Sequence, residues 1–163
     1  MTVLRHLKDK EAKQIVREFE IRFPIAKERL KAIDHLQELI VDDGSIIFAD
    51  GVPILIRKKD LWIPSLKFET VIDSLPKVIV DMGAVPHITN GAQIMRPGIR
   101  LISDNFRKND FIVIQDERFQ KSLAIGTADV ASESMKEMTK GKVITNLHYV
   151  GDDFWNAFNT SHN

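Results

Sequence analysis

Gly83-Ala84-Val85-Pro86-His87-Ile88-Thr89-Asn90-Gly91-Ala92-Gln93-Ile94-Met95-Arg96-Pro97-Gly98 is the stretch that decides how this chain reads. Three glycines and two prolines fall within sixteen residues, around short apolar runs. That punctuation calls for tight backbone rather than a long helix or strand. It predicts a short helical turn over 84–89, a corner at Asn90-Gly91, a strand over 92–95 and a Pro-Gly turn.

Outward from it the pattern is mostly β. Val78-Ile79-Val80-Asp81 precedes it as a short strand, and further strands are expected near 92–96, 111–115, 121–130 and 143–149. Several short strands with regular turns argue a small, nearly closed barrel. Ser134 and Glu137 have capping-box spacing for a short helix bracketed by the last two strands.

These pieces, in this order, resemble the PUA domain, an RNA-binding module named after pseudouridine synthases and archaeosine transglycosylases. The resemblance runs from about Pro76 to Trp155. It rests on Gly83-Ala84-Val85-Pro86, on Gly91 to Gly98, on Asn109-Asp110 before Phe111-Ile112-Val113-Ile114, on Ala124-Ile125-Gly126-Thr127-Ala128, and on the closing His148 to Trp155. The ending is similar to the malignant-T-cell-amplified and ligatin type, single-chain PUA proteins linked to translation. Asn109 stands where the family has glycine, and asparagine tolerates the same left-handed turn geometry.

The first half reads as α+β. Leu4 to Leu7 suggests a strand, and Ala12, Ile15, Val16 and Phe19 give helical spacing over 9–22, with Asp9 placed to cap the first turn. Phe23-Pro24 ends that helix, since the residue before proline leaves helical geometry. A second short helical segment over 25–33 follows. Strands are expected over 36–41, 45–49, 54–57 and 61–63, with turns at Asp43-Gly44, Asp50-Gly51 and Lys58-Lys59-Asp60, then a short helix over 68–74. Phe23-Pro24 and Trp62-Ile63-Pro64 are similar to the domain that precedes PUA in the translation subgroup. The fold expected is an α+β N-terminal domain followed by a mostly β PUA pseudo-barrel. The boundaries are 1–75, 76–156 and a polar tail over 157–163.

Composition narrows the chemistry. The 163 residues are 44% apolar, enough for a packed core, and contain no cysteine, so disulfides, thiolate zinc sites and a thiol nucleophile are excluded. The charged N-terminus is not a signal peptide, and no apolar run approaches the ~20 residues of a membrane helix. A cytoplasmic protein without a membrane partner is expected. The 23 basic and 23 acidic residues balance, so RNA binding should be local and led by shape. The balance is uneven, though: residues 1–31 hold nine Lys/Arg against five Asp/Glu.

Candidate contacts follow from the resemblance. In the PUA family the short helix and the glycine-alanine strand form a groove that RNA backbone approaches closely. Carried onto this chain, that implicates Gly83, Ala84, Gly91, Ala92, Ile94 and Met95, with His87 and Gln93 added for their chemistry. Arg96 is the leading polar candidate, a planar fork for phosphate before Pro97-Gly98, and Arg100 extends the basic edge. Asn146 and His148 on the last strand are expected to join the groove, while Tyr149 or Leu147 is read as partly core. Lys10, Lys13 and Arg17 share one helix face and offer phosphate contacts to tRNA or ribosomal RNA; a solvated helix face is the plainer reading.

No histidine pair has metal-ligand spacing, and no nucleophile elbow or phosphate loop is present. A catalytic role, a metal and a cofactor are therefore not expected. The function expected is RNA binding in the translation apparatus, with the ribosome or a translation-factor protein as further partner. Two alternatives are an accessory subunit that delivers RNA to a modification enzyme, and a protein-interaction module without RNA.

Overall fold

The computed structural model describes residues 3–159. They form two compact units, one running to Ser74 and taking in the residues from Asn156 onward, the other spanning Leu75–Trp155.

In the first unit, β1 (Leu4–His6), β2 (Leu36–Val41), β3 (Gly44–Ala49), β4 (Val52–Lys58) and β5 (Leu61–Pro64) form one antiparallel sheet in chain order. Helix α1 (Asp9–Arg22) buries Ile15 and Phe19, as its spacing predicts. The Phe19 ring lies 5.2 Å from Phe23 and 5.8 Å from Phe68. Phe23 leaves helical geometry before Pro24, which starts a 3₁₀ turn leading into α2 (Lys27–Lys31). Asp9 is not the cap expected of it: Lys8 occupies that position without a side-chain bond, and Asp9 is the first helical residue. There its charge, with that of Glu11, faces the positive end of the helix dipole. The β2–β3 turn falls at Asp42-Asp43, one residue earlier than predicted. Asp50 and Gly51 both have positive φ (48° and 84°), as a two-residue hairpin turn requires. Helix α3 (Glu69–Ile72) closes the unit.

The second unit is a curled, mostly β half-barrel. Its six strands are β6 (Lys77–Val80), β7 (Ile94–Met95), β8 (Ile99–Ile102), β9 (Phe111–Asp116), β10 (Ser122–Ala128) and β11 (Lys142–Tyr149). They are ordered β7-β11-β10-β9-β6-β8, with β6 parallel to β9 and every other pair antiparallel. The outermost strands, β7 and β8, are joined only by the 3₁₀ turn Arg96–Gly98. A linker of this length reaches roughly 10 Å, so the sheet must curl until its two edges nearly meet. The concave side holds Val78, Val80, Ile94, Ile112, Ile114, Ala124 and Ile144, all at 1% exposure or less. Strand β8 was not foreseen.

Two short helices lie within this unit, α4 (Val85–Ile88) and α5 (Ser132–Glu137), and a third, α6 (Asp153–Ala157), begins in it and ends past its last residue, Trp155. The Ser134 capping box does not form; α5 starts at Ser132, whose Oγ accepts from Phe106 N (3.1 Å). Asn109 has φ 76°, the left-handed geometry expected of it. Ala157 closes α6 and Phe158 is buried, so these two residues are packed where a polar tail was expected. Residues 160–163 of that tail lie outside the described residues. Among the described residues no helix is long and apolar enough to cross a membrane.

Candidate nucleic-acid interface

The glycine-rich stretch folds as its punctuation predicts. Helix α4 starts with Pro86 in its first turn, where a missing N–H costs nothing. It unwinds through Asn90 and Gly91, whose N–H groups return to His87 O (3.1 Å) and Ile88 O (3.0 Å). Gly91 has φ +93°, and a Cβ there would stand 3.0 Å from the Tyr149 hydroxyl. Gly91 is therefore demanded twice, by the turn and by the Tyr149 ring, which packs on the core. Gly98 meets α4 closely, since a Cβ on it would lie 3.3 Å from that of Ala84.

Between α4 and β7 these small residues leave a recess of about 270 Å³. Ala84, His87, Ala92, Gln93, Ile94 and Met95 line it, six of the residues nominated from sequence. Val80, Ile88 and Gly98 complete the lining and were not nominated. Their signal was present: Val80 ends the strand before the stretch, and Gly98 ends the stretch itself. His87, Ala92, Gln93 and Met95 are exposed, while Ile94 is buried. Gly83 is exposed in the turn just before Ala84.

Asn146 reaches this wall from β11, but its polar groups are largely engaged there. Its Nδ2 donates to Ala92 O (3.0 Å) and Ile88 O (3.2 Å), and its N–H donates to Gln93 Oε1 (2.7 Å). Asn146 and Gln93 thus tie the glycine-alanine segment to the sheet.

Three nominated side chains sit elsewhere. His148 does not enter the groove: it is fully buried, with Nδ1 2.8 Å from Asp152 Oδ2. The cause is a β-bulge. Ile125 pairs with His148 and Gly126 with Asn146, so Leu147 is the extra residue and the alternation that would put Asn146 and His148 on one face is lost. Arg96 does not hold its fork outward. Its Nε donates to Met135 O (2.7 Å), which also accepts from Met138 N (3.2 Å), and its Nη1 donates to Ile99 O (3.3 Å). Arg100 is exposed on β8, with Nε 3.6 Å from Glu117 and 3.9 Å from Asp81.

In the first unit Lys10, Lys13 and Arg17 are exposed on α1. Lys13 and Arg17 line a wider hollow of about 420 Å³, whose rim also carries Asp9, Glu20 and Asp34. Its mixed charge distinguishes it from the mainly apolar recess beside α4. Among the described residues no group of acidic or histidine side chains is disposed to hold a metal ion.

An N-terminal α+β unit before a half-barrel whose seam is the glycine-rich stretch defines a PUA-domain protein. The PUA domain family matches residues 76–150. Similar along nearly its whole length is the uncharacterized protein MJ1432 of Methanocaldococcus jannaschii, at 39% identity over 92% of this chain and 93% of that one. Translation machinery-associated protein 20 of Saccharomyces cerevisiae is 33% identical over 71% of this chain and 67% of its own. The crystal structure of hypothetical protein PH0734.1 from Pyrococcus horikoshii superposes with a TM-score of 0.77 at 31% identity, covering 96% of this chain and 99% of the other. The chain belongs to the family of PUA-domain proteins that these relatives share, with homologues named for the translation machinery.

Proposed function

We propose that this protein is a non-catalytic RNA-binding protein of the translation machinery. Its two units act as separate domains, and its PUA unit holds a structured RNA, such as a tRNA, near a single-stranded end. The observation that carries this reading is the recess beside α4. It is mainly apolar, lined by small residues, and rimmed by His87, Gln93 and Met95. An unstacked base can enter such a recess because Ala84, Ala92 and Gly98 keep side chains out of the way, and single-stranded ends are where RNA offers splayed bases. The 33% identity to a protein named for the translation machinery supports the cellular setting. The N-terminal unit, with Lys10, Lys13 and Arg17 exposed, is assigned to phosphate contacts on tRNA or ribosomal RNA, or to a partner factor on the ribosome.

The test is a titration of tRNA, with and without its 3′ single-stranded end, against the wild-type chain and Ala92→Trp at two salt concentrations. Binding that is lost on trimming and on filling the recess supports the assignment. Binding indifferent to both changes moves the contact away from the recess. No binding at low salt removes the RNA reading and favours a protein-interaction module.

A further inference from the structure

The β9–β10 hairpin carries a feature that the recess does not use. Phe119 stands at its tip with 72% of its surface exposed, and every other phenylalanine, tyrosine and tryptophan among the described residues is buried or half-buried. Exposed phenylalanine on a floppy loop would mean little, but this tip is held rigidly. Asp116 is buried and its carboxylate accepts from Phe119 N (2.6 Å) and Lys121 N (3.0 Å), while Gln120 N donates to Asp116 O (3.0 Å). Gln120 takes a positive φ of 53° to close the turn. The backbone is fixed so that the ring points away from the core instead of folding over it.

The charge around the ring is selective. The Arg118 guanidinium lies 6.0 Å from the ring centroid, and Lys121 follows two residues on. The neighbouring acid, Glu117, is occupied by Arg100 (3.6 Å) and by the N–H of Met82 (3.2 Å). Among the described residues Arg118 and Lys121 have no ion-pair partner, so the tip presents an aromatic face between two uncompensated cations. Glu117 also anchors the tip to the recess, since its N–H donates to the carbonyl of Val80 (3.0 Å), a residue of the recess lining.

We infer that the β9–β10 tip is a second RNA contact, on which Phe119 stacks an unpaired base while Arg118 and Lys121 meet the adjoining phosphates. This rests on the RNA reading of the recess and extends it along the strand. A ring flanked by cations fits a base and its phosphates, because every base has a π-face and every nucleotide a negative charge. An apolar protein partner would gain the ring but would have to desolvate both cations without pairing them.

The experiment uses the full chain and a fluorescein-labelled single-stranded RNA of about ten nucleotides, a length that can reach past one binding pocket. Wild type, Phe119→Ala, Phe119→Trp and the recess-filling Ala92→Trp are titrated by anisotropy. Phe119→Ala should bind about tenfold more weakly, the scale of one lost base–aromatic stack. Phe119→Trp should restore binding, and its added indole fluorescence should be quenched by RNA relative to the background from Trp62 and Trp155. Thermal unfolding should be unchanged in Phe119→Ala, since the ring is exposed. If Ala92→Trp abolishes binding while Phe119→Ala leaves it intact, the tip inference is overturned and the recess reading stands. If wild type does not bind the oligonucleotide at low salt, both are overturned, and the tip becomes a surface for a protein.

Discussion

The Nε of Arg96 donates to the main-chain carbonyl of Met135 at 2.7 Å, tying the turn between the two edge strands to the end of α5. The N–H of Arg96 donates in parallel to Gly141 O (2.8 Å), and Nη1 reaches Ile99 O (3.3 Å). One residue therefore donates to three carbonyls at the place where the sheet comes nearest to closing. A guanidinium suits this task because its donors are planar and fixed in direction.

Arg96→Ala should accordingly be a stability variant before it is a binding variant. Bonds from a charged donor contribute on the order of 1.5–3 kcal/mol, and without them Met135 O keeps only the N–H of Met138. A fall in thermal midpoint is expected, with Arg96→Lys intermediate, since an ammonium is a single point donor. RNA affinity measured well below the midpoint should change little. A large affinity loss with an unchanged midpoint would show instead that Arg96 faces the ligand.

Acid lability should trace to two carboxylates. Burial alone would raise Glu38, but hydrogen bonds from Arg5 (2.8 Å), Arg57 and Ser45 (2.9 Å) outweigh it and hold its pKa below the usual carboxylate range. Asp116 is depressed first by the N–H of Phe119, with Lys121 N–H adding to it against burial. A depressed folded pKa means the unfolded chain takes up protons first. The stability is thus present above about pH 4, the unfolded carboxylate value, and is lost as pH falls through the folded pKa. Glu38→Gln should lower stability at pH 7 and flatten the acid limb of a stability–pH curve measured by denaturant melts.

The sequence made local structure legible where chain chemistry alone determines it. Phe23-Pro24 had to end α1, Asp50-Gly51 had to turn a hairpin, and Gly91 had to take positive φ; each does so. What stayed hidden depends on partners distant in sequence. Arg96 reads as a free fork until Met135, thirty-nine residues on, is seen to receive it. The bulge at Leu147 has no composition of its own, because it arises in the pairing with β10, and it alone sends His148 inward while Asn146 stays at the groove. Strand β8 was missed since Ile99-Arg100-Leu101-Ile102 follows a Pro-Gly turn and is only four residues long.

That bulge makes Gly126 the least replaceable glycine. A Cβ on it would stand 2.2 Å from the Thr145 carbonyl oxygen, a backbone atom that cannot swing aside. Gly126→Ala should cost at least about 3 kcal/mol, at the upper end for overpacking, and should yield little folded protein. Asn146→Ala should be milder, since Ala92 O and Ile88 O can turn to water. Asn146→Asp should be worse than alanine, because it sets a carboxylate against both carbonyls. Melts of the three variants check the order.

The basic face of α1 is tested by salt rather than by affinity alone. Lys10, Lys13 and Arg17 are exposed and have no described ion pair, yet Asp9, Glu20 and Asp34 lie around the same hollow. Acids at the rim weaken the field there, so only direct phosphate contacts should register. Each such contact steepens the dependence of log affinity on log salt by about 0.9 for a duplex and about 0.7 for a single strand. If all three cations meet tRNA phosphates, the combined alanine variant should lose roughly two to three units of slope, while removal of the 3′ end still weakens binding by the same factor as in wild type. An unchanged slope would assign α1 to a solvated surface and leave the PUA unit to bind alone. Loss of sensitivity to the 3′ end would mean instead that α1 orients the RNA over the recess, which additive contacts cannot do.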